Sequence, residues 1–357
     1  MAKAAGTPSS TETGSTLSDA RILEIYRSML LARAVDDRCL MLQRQGRIGF
    51  YVPLSGQEAA QVGCAAALEF DDWIFPAYRE LGLVLWRKVP LLTLLNQFIG
   101  NGADVLKGRQ MPNHYGYRDY NFVVASSPIG TQITQAVGAS MAIQRRKAPI
   151  VAAAFFGDGA TSSNDFHAGL NFAGVFKTPT IFFCQNNQWA ISLPRERQTR
   201  SATLAEKAEA YGFKGIVVDG TDVRAVYAVV RDARNRAIAG DGPTLIEAQV
   251  YRFGPHSTSD DPRRYRSDDE VAEWRRKDPI LRLQHELVSS GVLSSEADAA
   301  LREAARAEVA KAIEAAEAEP PLDPTTLFDD TFAQPTPQLA AEREEFERLI
   351  KEGIIRP

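Results

Sequence analysis

The chain has 357 residues, of which 45% are hydrophobic and 24% are charged, a composition typical of a globular protein with a sizeable core. Its 41 Lys and Arg against 45 Asp and Glu leave a net charge of −4, which argues against nucleic acid or an anionic membrane as a main partner. No apolar run approaches the roughly 18 residues that span a bilayer. The three cysteines (Cys39, Cys64 and Cys184) form no CxxC pair, and we therefore expect a cytoplasmic protein.

The predicted elements, taken in chain order, begin after residues 1–17, whose Ser-, Thr-, Gly- and Ala-rich composition predicts disorder. Ser18 or Asp19 can cap the next segment, in which apolar side chains recur at helical spacing. Further along, apolar runs typical of buried strands alternate with helical patterns. We predict strands at 151–156, 180–184, 216–218 and 245–250, and helices that include 165–175 and 223–239.

This alternation determines the predicted fold class. Strand–helix–strand order with near-continuous apolar strands indicates an α/β fold, built on a mostly parallel sheet with helices on both faces. From about residue 270 the pattern changes to Ala-, Glu- and Arg-rich helices at 296–317 and 338–351, joined by a Pro-containing link. We expect these helices to present solvated packing faces, the last of them within a C-terminal linker and helix over 319–357.

Several signatures of other ligand-binding and catalytic sites are missing from the sequence. Neither GxGxxG nor GxxxxGK[ST] occurs, so no dinucleotide-binding turn and no P-loop is predicted. The segment 138–142 (GASMA) does not qualify as a nucleophile elbow, because its last position is not Gly. The four histidines, at 114, 167, 256 and 285, form no close pair, which argues against a His-rich zinc site.

The informative stretch runs from 151 to 192. In it Gly157-Asp158-Gly159 follows one apolar strand, and Asn186-Asn187 follows the next strand after 26 intervening residues. Both groups fall at the carboxyl ends of parallel strands, where open α/β sheets bind ligands. The two glycines would let the backbone approach a diphosphate, and the following helix would present free N–H groups to it. Asp158 and Asn187 offer the oxygen ligands that Mg²⁺ prefers.

A second GDG in the same chain serves as an internal control. Gly240-Asp241-Gly242 follows a helical pattern instead of a strand, and Pro243 comes directly after it. Counting 26 residues onward reaches Asp269-Glu270, not an Asn pair. This copy therefore predicts a turn, and only the first copy has the context of a binding site.

The stretch with the first copy resembles the thiamine diphosphate motif, in which GDG is followed after a similar interval by NN. From about residue 20 to 335 the chain is similar to the alpha subunit of the first component of a 2-oxo acid dehydrogenase complex, with the branched-chain type fitting best. The matching segments beyond the cofactor motif are GQEAAQVG at 56–63, FPAYRELG at 75–82, GRQMPNHYG at 108–116, ASSPIGTQ at 125–132 and YRFGPHSTSDDPRRYRS at 251–267. The resemblance implies a thiamin-diphosphate-binding fold over 18–318.

The resemblance also implies the cofactors thiamine diphosphate and Mg²⁺ and their ligands. Asp158, Asn187 and the backbone carbonyl of Trp189 would hold the metal. Arg79 would bind phosphate oxygens through its planar fork, and the bulk of Ile129 would help to hold the cofactor bent. The full set of implied cofactor contacts is Tyr78, Arg79, Ser127, Ile129, Gly157, Asp158, Gly159, Asn187 and His256.

Two histidines are the predicted catalytic residues. His256 lies in a charged loop, and the resemblance implies that it faces the cofactor and assists acyl transfer to lipoate. From the residues alone, a surface position in that loop explains His256 equally well. The resemblance places His114 near the substrate entrance, whereas we expect a structural role for His167. Ser126, Thr131 and Gln132 match a monovalent-cation site of some relatives.

The sequence departs from the family pattern at two places. Ser163-Asn164-Asp165 replaces the common Glu-Gly-Asp after GDGATS, so the family's contacts at the start of that helix are not carried over to this chain. Gln185 stands where some relatives carry a basic residue before NN, so the diphosphate contact of that basic residue is not carried over either.

The activity implied by the resemblance is oxidative decarboxylation of a branched-chain 2-oxo acid, with transfer of the acyl group to a lipoyl arm. The chain would act as the alpha subunit of an α2β2 enzyme, with a beta subunit and a lipoyl-bearing acyltransferase core as partners. Two alternatives remain: a sibling enzyme acting on pyruvate or acetoin, and, from another class, a non-catalytic nucleotide- or metal-binding scaffold.

Overall fold

A computed structural model describes residues 17–355. The segment predicted to be disordered, 1–17, lies outside the described residues except for Leu17, whose side chain is buried. Within the described range the α-helices are α1 (Asp19–Arg44), α2 (Glu58–Ala67), α3 (Leu81–Trp86), α4 (Leu91–Ile99), α5 (Thr131–Arg146), α6 (Asn164–Phe176), α7 (Val223–Ala239), α8 (Asp268–Arg275), α9 (Pro279–Ser289), α10 (Ser295–Ala318) and α11 (Pro337–Lys351).

The strands form one main sheet and one small hairpin. The main sheet has the order β1-β2-β3-β7-β6, and all of its neighbouring pairs are parallel. The hairpin is antiparallel and comes directly after β3. The strands are β1 (Trp73–Phe75), β2 (Ala152–Gly157), β3 (Thr180–Asn186), β4 (Trp189–Ala190), β5 (Leu193–Pro194), β6 (Lys214–Asp219) and β7 (Thr244–Gln249).

The central strands are buried on both faces because their side chains alternate between two cores. Phe155 and Phe183 belong to a core shared with α1, α2 and α7. Phe156 and Phe182 belong to a second core shared with α5 and α6. A strand that packs against apolar side chains on both faces of the sheet has a continuous apolar sequence. The predicted α/β fold with a parallel sheet covered on both faces is confirmed.

Element boundaries agree best with the prediction where a cap marks them. The side chain of Ser18 accepts a hydrogen bond from Arg21 N at the start of α1, and Asp222 caps α7 in the same way. Strand β1 escaped prediction because three apolar residues are too short a run to show a period. Strand β6 lies at the sheet edge and exposes several side chains, so its apolar stretch is short.

The C-terminal helices differ from each other in their packing. Helix α10 packs on α1 and α4 through a buried stripe that includes Val309 and Ile313, while its other faces are exposed as expected. Helix α11 has no buried residue and contacts the 3₁₀ turn Pro324–Phe328, where Phe346 packs edge-on against Phe328. Of the helices between residues 17 and 355, none is both long and apolar enough to cross a membrane.

A buried ion pair ties the start of the sheet to helix α7. Asp72, fully buried just before β1, accepts hydrogen bonds from Arg234 Nε at 2.6 Å and Nη2 at 3.2 Å. The same carboxylate accepts from the backbone N–H groups of Val151 and Glu69. With all of its lone pairs engaged, the carboxylate is compensated, and removing the cation would leave a buried charge unpaired.

We predict that Arg234→Met lowers the free energy of unfolding by about 3 kcal/mol, because it leaves Asp72 buried without its cation. Urea unfolding of the purified protein measures this change. Arg348→Met serves as the control, since Arg348 pairs with Glu345 and Glu352 on the exposed face of α11 and should leave the midpoint unchanged. Equal midpoints for the two variants would contradict the role given to the Asp72 pair.

Candidate active site

A cavity of about 580 Å³ opens at the carboxyl ends of β2 and β3. Its volume falls within the range typical of small-molecule sites. The structure brings together in its wall all of the residues predicted from the sequence as cofactor, Mg²⁺ or catalytic contacts, whereas the monovalent-cation set is only partly included. The cofactor, Mg²⁺ and catalytic contacts in the wall are Tyr78, Arg79, His114, Ser127, Ile129, Gly157, Asp158, Gly159, Asn187, Trp189 and His256.

The predicted metal ligands line one side of this cavity. Asp158 is 1% exposed, and burial raises the pKa of its carboxyl, while Gln198 Nε2 donates to its Oδ2 at 2.5 Å. Asn187 Oδ1 accepts from Trp189 N at 3.3 Å, and the Trp189 carbonyl accepts from Arg252 at 3.2 Å. Each of these oxygens keeps a free lone pair. An all-oxygen set with a single carboxylate suits Mg²⁺ that shares phosphate oxygens.

The two glycines of the first GDG serve different purposes. A Cβ on Gly159 would lie 2.8 Å from the Cβ of Ala190, so close packing against the β4–β5 hairpin requires glycine there. A Cβ on Gly157 would meet nothing closer than the Gln185 carbonyl at 4.0 Å, and Gly157 lines the cavity. Packing within the chain therefore gives no reason for glycine at 157, whereas the approach of a ligand does.

The helix predicted at 165–175 is confirmed as α6, but it does not begin directly at the GDG motif. A 3₁₀ segment, Asp158–Ser162, comes first, and α6 begins only at Asn164. Ser163 caps α6 by accepting from Phe166 N at 3.1 Å, so one of its free N–H donors is already engaged. The tight 3₁₀ turn, rather than the N-terminus of α6, is the backbone that borders the cavity beside Asp158.

Two buried arginines face the cavity without a carboxylate partner among the described residues. Arg79, 6% exposed, donates to the carbonyl oxygens of Pro53 and His256. Arg252 is fully buried and donates to the carbonyl oxygens of Trp189 and Ile191 and to the Tyr265 hydroxyl, while its Nε has no partner in residues 17–355. Burial and the nearby Arg79 lower the pKa of Arg252 to about 10. Such a pair of cations suits an anionic ligand.

His256 lies between these two guanidinium groups. Its Nδ1 is 3.4 Å from Arg79 Nη2 and 3.4 Å from Arg252 Nη1. Because guanidinium groups only donate, Nδ1 must be the acceptor, and the ring proton is on Nε2. Burial and the two arginines lower the pKa of His256 to about 3, so the ring is neutral at physiological pH.

His114 has the opposite tautomer. Its Nδ1 is 3.1 Å from the Pro112 carbonyl, which can only accept, and its Nε2 is 2.6 Å from Ser127 Oγ. In the neutral ring Nδ1 therefore carries the proton and Nε2 accepts from Ser127. Tyr78 lies between the two histidines, with ring centroids 6.2 Å from His114 and 6.0 Å from His256. The two predicted catalytic histidines thus belong to one aromatic cluster.

The residues predicted for a monovalent cation lie at the start of α5. The Ser126 and Thr131 hydroxyl oxygens are 2.9 Å apart, and both lie near the Pro128 carbonyl. The amide nitrogen of Gln132 is engaged away from these two hydroxyls, because it donates to the Phe155 carbonyl at 2.8 Å. His167, expected to be structural, lies outside the cavity wall and contacts the Tyr211 hydroxyl.

The second GDG is a turn, as its context predicts. Gly240 ends α7 in the left-handed conformation with φ of +94°, and Asp241 is exposed. Strand β7 begins at Thr244, directly beyond this turn. Asp241 therefore lies at the amino end of a strand, opposite in sense to Asp158.

Comparison with known proteins identifies the family. The family model described as "Dehydrogenase E1 component" matches residues 26–325. The chain belongs to this E1 component family. The resemblance on which the sequence analysis relied is thereby confirmed, and the chain is a 2-oxo acid dehydrogenase component rather than a non-catalytic scaffold.

Curated relatives match the E1 chain over nearly all of its length. The chain is 46% identical over 332 residues to the 2-oxoisovalerate dehydrogenase subunit alpha, mitochondrial, of Homo sapiens, covering 93% of this chain and 75% of the relative. It is 46% identical over 323 residues to the 3-methyl-2-oxobutanoate dehydrogenase subunit alpha of Mycobacterium tuberculosis, covering 90% and 85%. An Arabidopsis thaliana relative, 2-oxoisovalerate dehydrogenase subunit alpha 1, mitochondrial, is 42% identical over 336 residues, covering 94% and 71%.

Some residues of the E1 site were not singled out from the sequence. Arg252 is within a matching segment, and its charge amid the apolar run 250–253 was the available signal. Gln198 and Glu80 gave no local signal, because their partners Asp158 and Gln185 are distant in sequence. Phe50, which also lines the cavity, comes from a loop without a motif.

We predict that Asp158→Ala lowers the affinity of the E1 chain for a Mg²⁺–diphosphate ligand by at least about tenfold, ~1.4 kcal/mol. The substitution removes the one carboxylate among the proposed metal ligands. Asp241→Ala is the matched control, since it alters the other GDG and should leave the affinity unchanged. Titration calorimetry measures both variants, and equal effects of the two substitutions would overturn the metal assignment.

Proposed function

We propose that the chain is the alpha subunit of a branched-chain 2-oxo acid dehydrogenase that uses thiamine diphosphate and Mg²⁺. The main support is that one cavity contains both Arg79 and Arg252, which have no carboxylate partner among the described residues, and the oxygens of Asp158, Asn187 and Trp189. The names of the relatives support the substrate class, because 2-oxoisovalerate and 3-methyl-2-oxobutanoate are the same branched compound. None of the relatives given above is named for pyruvate or acetoin, the alternatives considered from the sequence.

The residues divide between the metal and the organic cofactor by chemistry. Asp158, Asn187 and the Trp189 carbonyl supply oxygen ligands to Mg²⁺. Arg79 and Arg252 supply charge-assisted hydrogen bonds to the diphosphate. Gly157 leaves room for the diphosphate to approach the backbone. The apolar side chain of Ile129, with Tyr78 and Ser127, borders the part of the cavity left for the rings.

Thiamine diphosphate, when bound, would supply a carbon nucleophile and an electron sink that accepts the bonding electron pair as carbon dioxide leaves. The chain's own residues then manage protons and orientation. His256 keeps its proton on Nε2 because Nδ1 faces two guanidinium groups, so this ring donates into the cavity. His114 and Ser127 form a second donor–acceptor pair at 2.6 Å, suited to orienting the substrate carboxylate or oxo group.

The beta subunit completes the site in this proposal. Apolar side chains at the cavity mouth are exposed, Ile129 by 47% and Ile191 by 54%, although such groups favour burial. Thiamine diphosphate also needs a second protein surface around its aminopyrimidine. We place that surface on a beta subunit in an α2β2 assembly, which delivers the acyl group to the lipoyl arm of an acyltransferase core.

The proposal also includes a monovalent-cation site and a cytoplasmic location. The Ser126 and Thr131 hydroxyls with the Pro128 carbonyl form the beginning of a monovalent-cation site. A cytoplasmic location is supported by the three cysteines, which are buried and free in the described residues.

We predict that the co-expressed alpha and beta subunits decarboxylate 3-methyl-2-oxobutanoate at least about tenfold more efficiently than pyruvate or 2-oxoglutarate, a difference of ~1.4 kcal/mol in transition-state binding. An assay with thiamine diphosphate, Mg²⁺ and an artificial electron acceptor measures kcat/KM for each acid. The alpha chain alone should be inactive in the same assay. Preference for pyruvate would contradict the substrate class, and activity of the isolated chain would contradict the division of the site.

A second prediction concerns the loop 252–267 in the α/β assembly. Much of its backbone is held by polar contacts, with Arg266 donating to the Arg252, Phe253 and Gly254 carbonyls. Because His256 and Arg252 face the cavity, thiamine diphosphate with Mg²⁺ should slow hydrogen exchange across this loop. Helix α11, none of whose residues lines the cavity, provides the internal control and should exchange at an unchanged rate. Equal slowing in both segments, or in neither, would exclude the loop from the site.

A further inference from the structure

The end of β3 carries a buried amide, Gln185, which borders the cavity and has no role among the proposed cofactor and metal contacts. Gln185 is 2% exposed, and along the strand it follows the alternation of Phe183, which points to the core shared with α2. On that side Gln185 meets two other buried polar groups, Gln61 on α2 and Glu80 just before α3. Gln61 is fully buried and Glu80 is 2% exposed.

These three side chains form a continuous hydrogen-bonded network. Gln61 Nε2 donates to Gln185 Oε1 at 3.0 Å, and Gln185 Nε2 donates to Glu80 Oε1 at 2.6 Å. Gln61 Oε1 in turn accepts from Gly82 N at 2.8 Å. The network therefore joins β3, the start of α3 and α2 through three side chains and the backbone N–H of Gly82.

The network ends on the backbone of Arg79. Glu80 Oε2 accepts from Arg79 N at 2.9 Å, and Gln61 Nε2 donates to the Arg79 carbonyl at 3.0 Å. Both main-chain polar groups of Arg79 are thus held by this set. Asn187, a proposed metal ligand, lies two residues beyond Gln185, directly after the end of β3. Gln185 stands between the strand end that would hold the metal and the residue that would hold the diphosphate.

Only a neutral amide fits this position as the network is built. Gln185 must accept from Gln61 and donate to Glu80, and an amide side chain has both an acceptor and donors. Lys or Arg at 185 would have no acceptor for Gln61, and a carboxylate would have no donor for Glu80. The departure from the basic residue of some relatives is therefore matched by the surrounding groups in this chain.

We propose that Gln185 is a positioning residue that sets the place of Arg79 relative to the metal-binding strand end, acting through Glu80 and Gln61. The inference rests on the proposed function, since it assumes a diphosphate bound by Arg79. Gln185 also borders the cavity, but both of its side-chain hydrogen bonds are made within the network, to Gln61 and Glu80. The inference therefore predicts that the amide affects cofactor binding through Arg79.

The test is a double-mutant cycle on the co-expressed α/β assembly, with the Kd of thiamine diphosphate measured by calorimetry in excess Mg²⁺. Gln185→Met keeps the volume and removes both hydrogen bonds, and we expect it to raise the Kd about tenfold. In an Arg79→Ala background the same change should raise the Kd by less than about twofold. Gln185→Glu, which keeps the Gln61 bond and loses only the Glu80 bond, should also weaken binding.

Two further measurements separate positioning from general destabilisation. Hydrogen exchange over residues 77–84 should become faster in Gln185→Met without cofactor, because Arg79 N loses its fixed acceptor. Asn101→Leu is the matched control, since Asn101 is 4% exposed, donates to Asn96 and to the Ala316 carbonyl, and does not line the cavity. It should lower stability and leave the Kd unchanged.

The outcomes distinguish this inference from the proposed function. If the wild-type assembly does not bind thiamine diphosphate, the proposed function is wrong and this inference falls with it. If the wild type binds, any of three results overturns the positioning role alone: an unchanged Kd in Gln185→Met, an effect additive with Arg79→Ala, or an equal rise in Asn101→Leu. Unchanged exchange over 77–84 overturns it as well.

Discussion

Two guanidinium groups are buried beside one another at the edge of the sheet, and much of the site is arranged around that cost. Burying a cation without a counter-ion is expensive, and placing a second one nearby adds repulsion. The chain compensates with dipoles instead of carboxylates: Arg79 and Arg252 donate to four backbone carbonyls and one tyrosine hydroxyl. Carbonyl dipoles offset the desolvation only in part, so the cavity retains a positive potential that favours an anionic ligand.

The carbonyls that hold these arginines must themselves be held in place. The Pro53 carbonyl lies in a loop fixed by Asp36 of α1, which is fully enclosed and accepts from Tyr51 Oη, Leu54 N and both the backbone and hydroxyl of Ser55. On the opposite side, Arg266 donates hydrogen bonds to three backbone carbonyls of the loop that contains His256. In the same loop, Asp260 accepts a hydrogen bond from His256 N at 2.7 Å. Asp36, Arg266 and Asp260, which do not line the cavity, thus fix the backbone segments whose carbonyls accept hydrogen bonds from the buried arginines.

The sequence allowed prediction of the parts of this arrangement that depend on local pattern. The strands β2 and β3, the cap at Ser18 and the contrast between the two GDG copies follow from spacing and neighbouring residues, and the family resemblance added the histidines. The contacts that hold the Arg79 and Arg252 side chains, and the Gln61–Gln185–Glu80 network, could not be predicted. Their hydrogen bonds join residues as far apart as 177 positions, and no periodicity records which distant partner a buried polar group will find. Strand β1 was not predicted for a related reason: what defines it is its pairing with the distant strand β2, and not a local pattern.

The balance of charge within the cavity gives a physical reason for a neutral residue at 185. In the proposed complex Arg79 and Arg252 would contribute two positive charges and Asp158 one negative charge, while Mg²⁺ would add two positive charges, the thiazolium ring one, and the diphosphate about three negative charges at neutral pH. These sum to about +1 before any contribution from Glu80. Burial raises the pKa of Glu80 to about 7, so this carboxyl is only partly ionised at neutral pH. A cation at 185 would need an ionised Glu80 to balance it, whereas an amide bonds Glu80 in either state and leaves the charge of the loaded site unchanged.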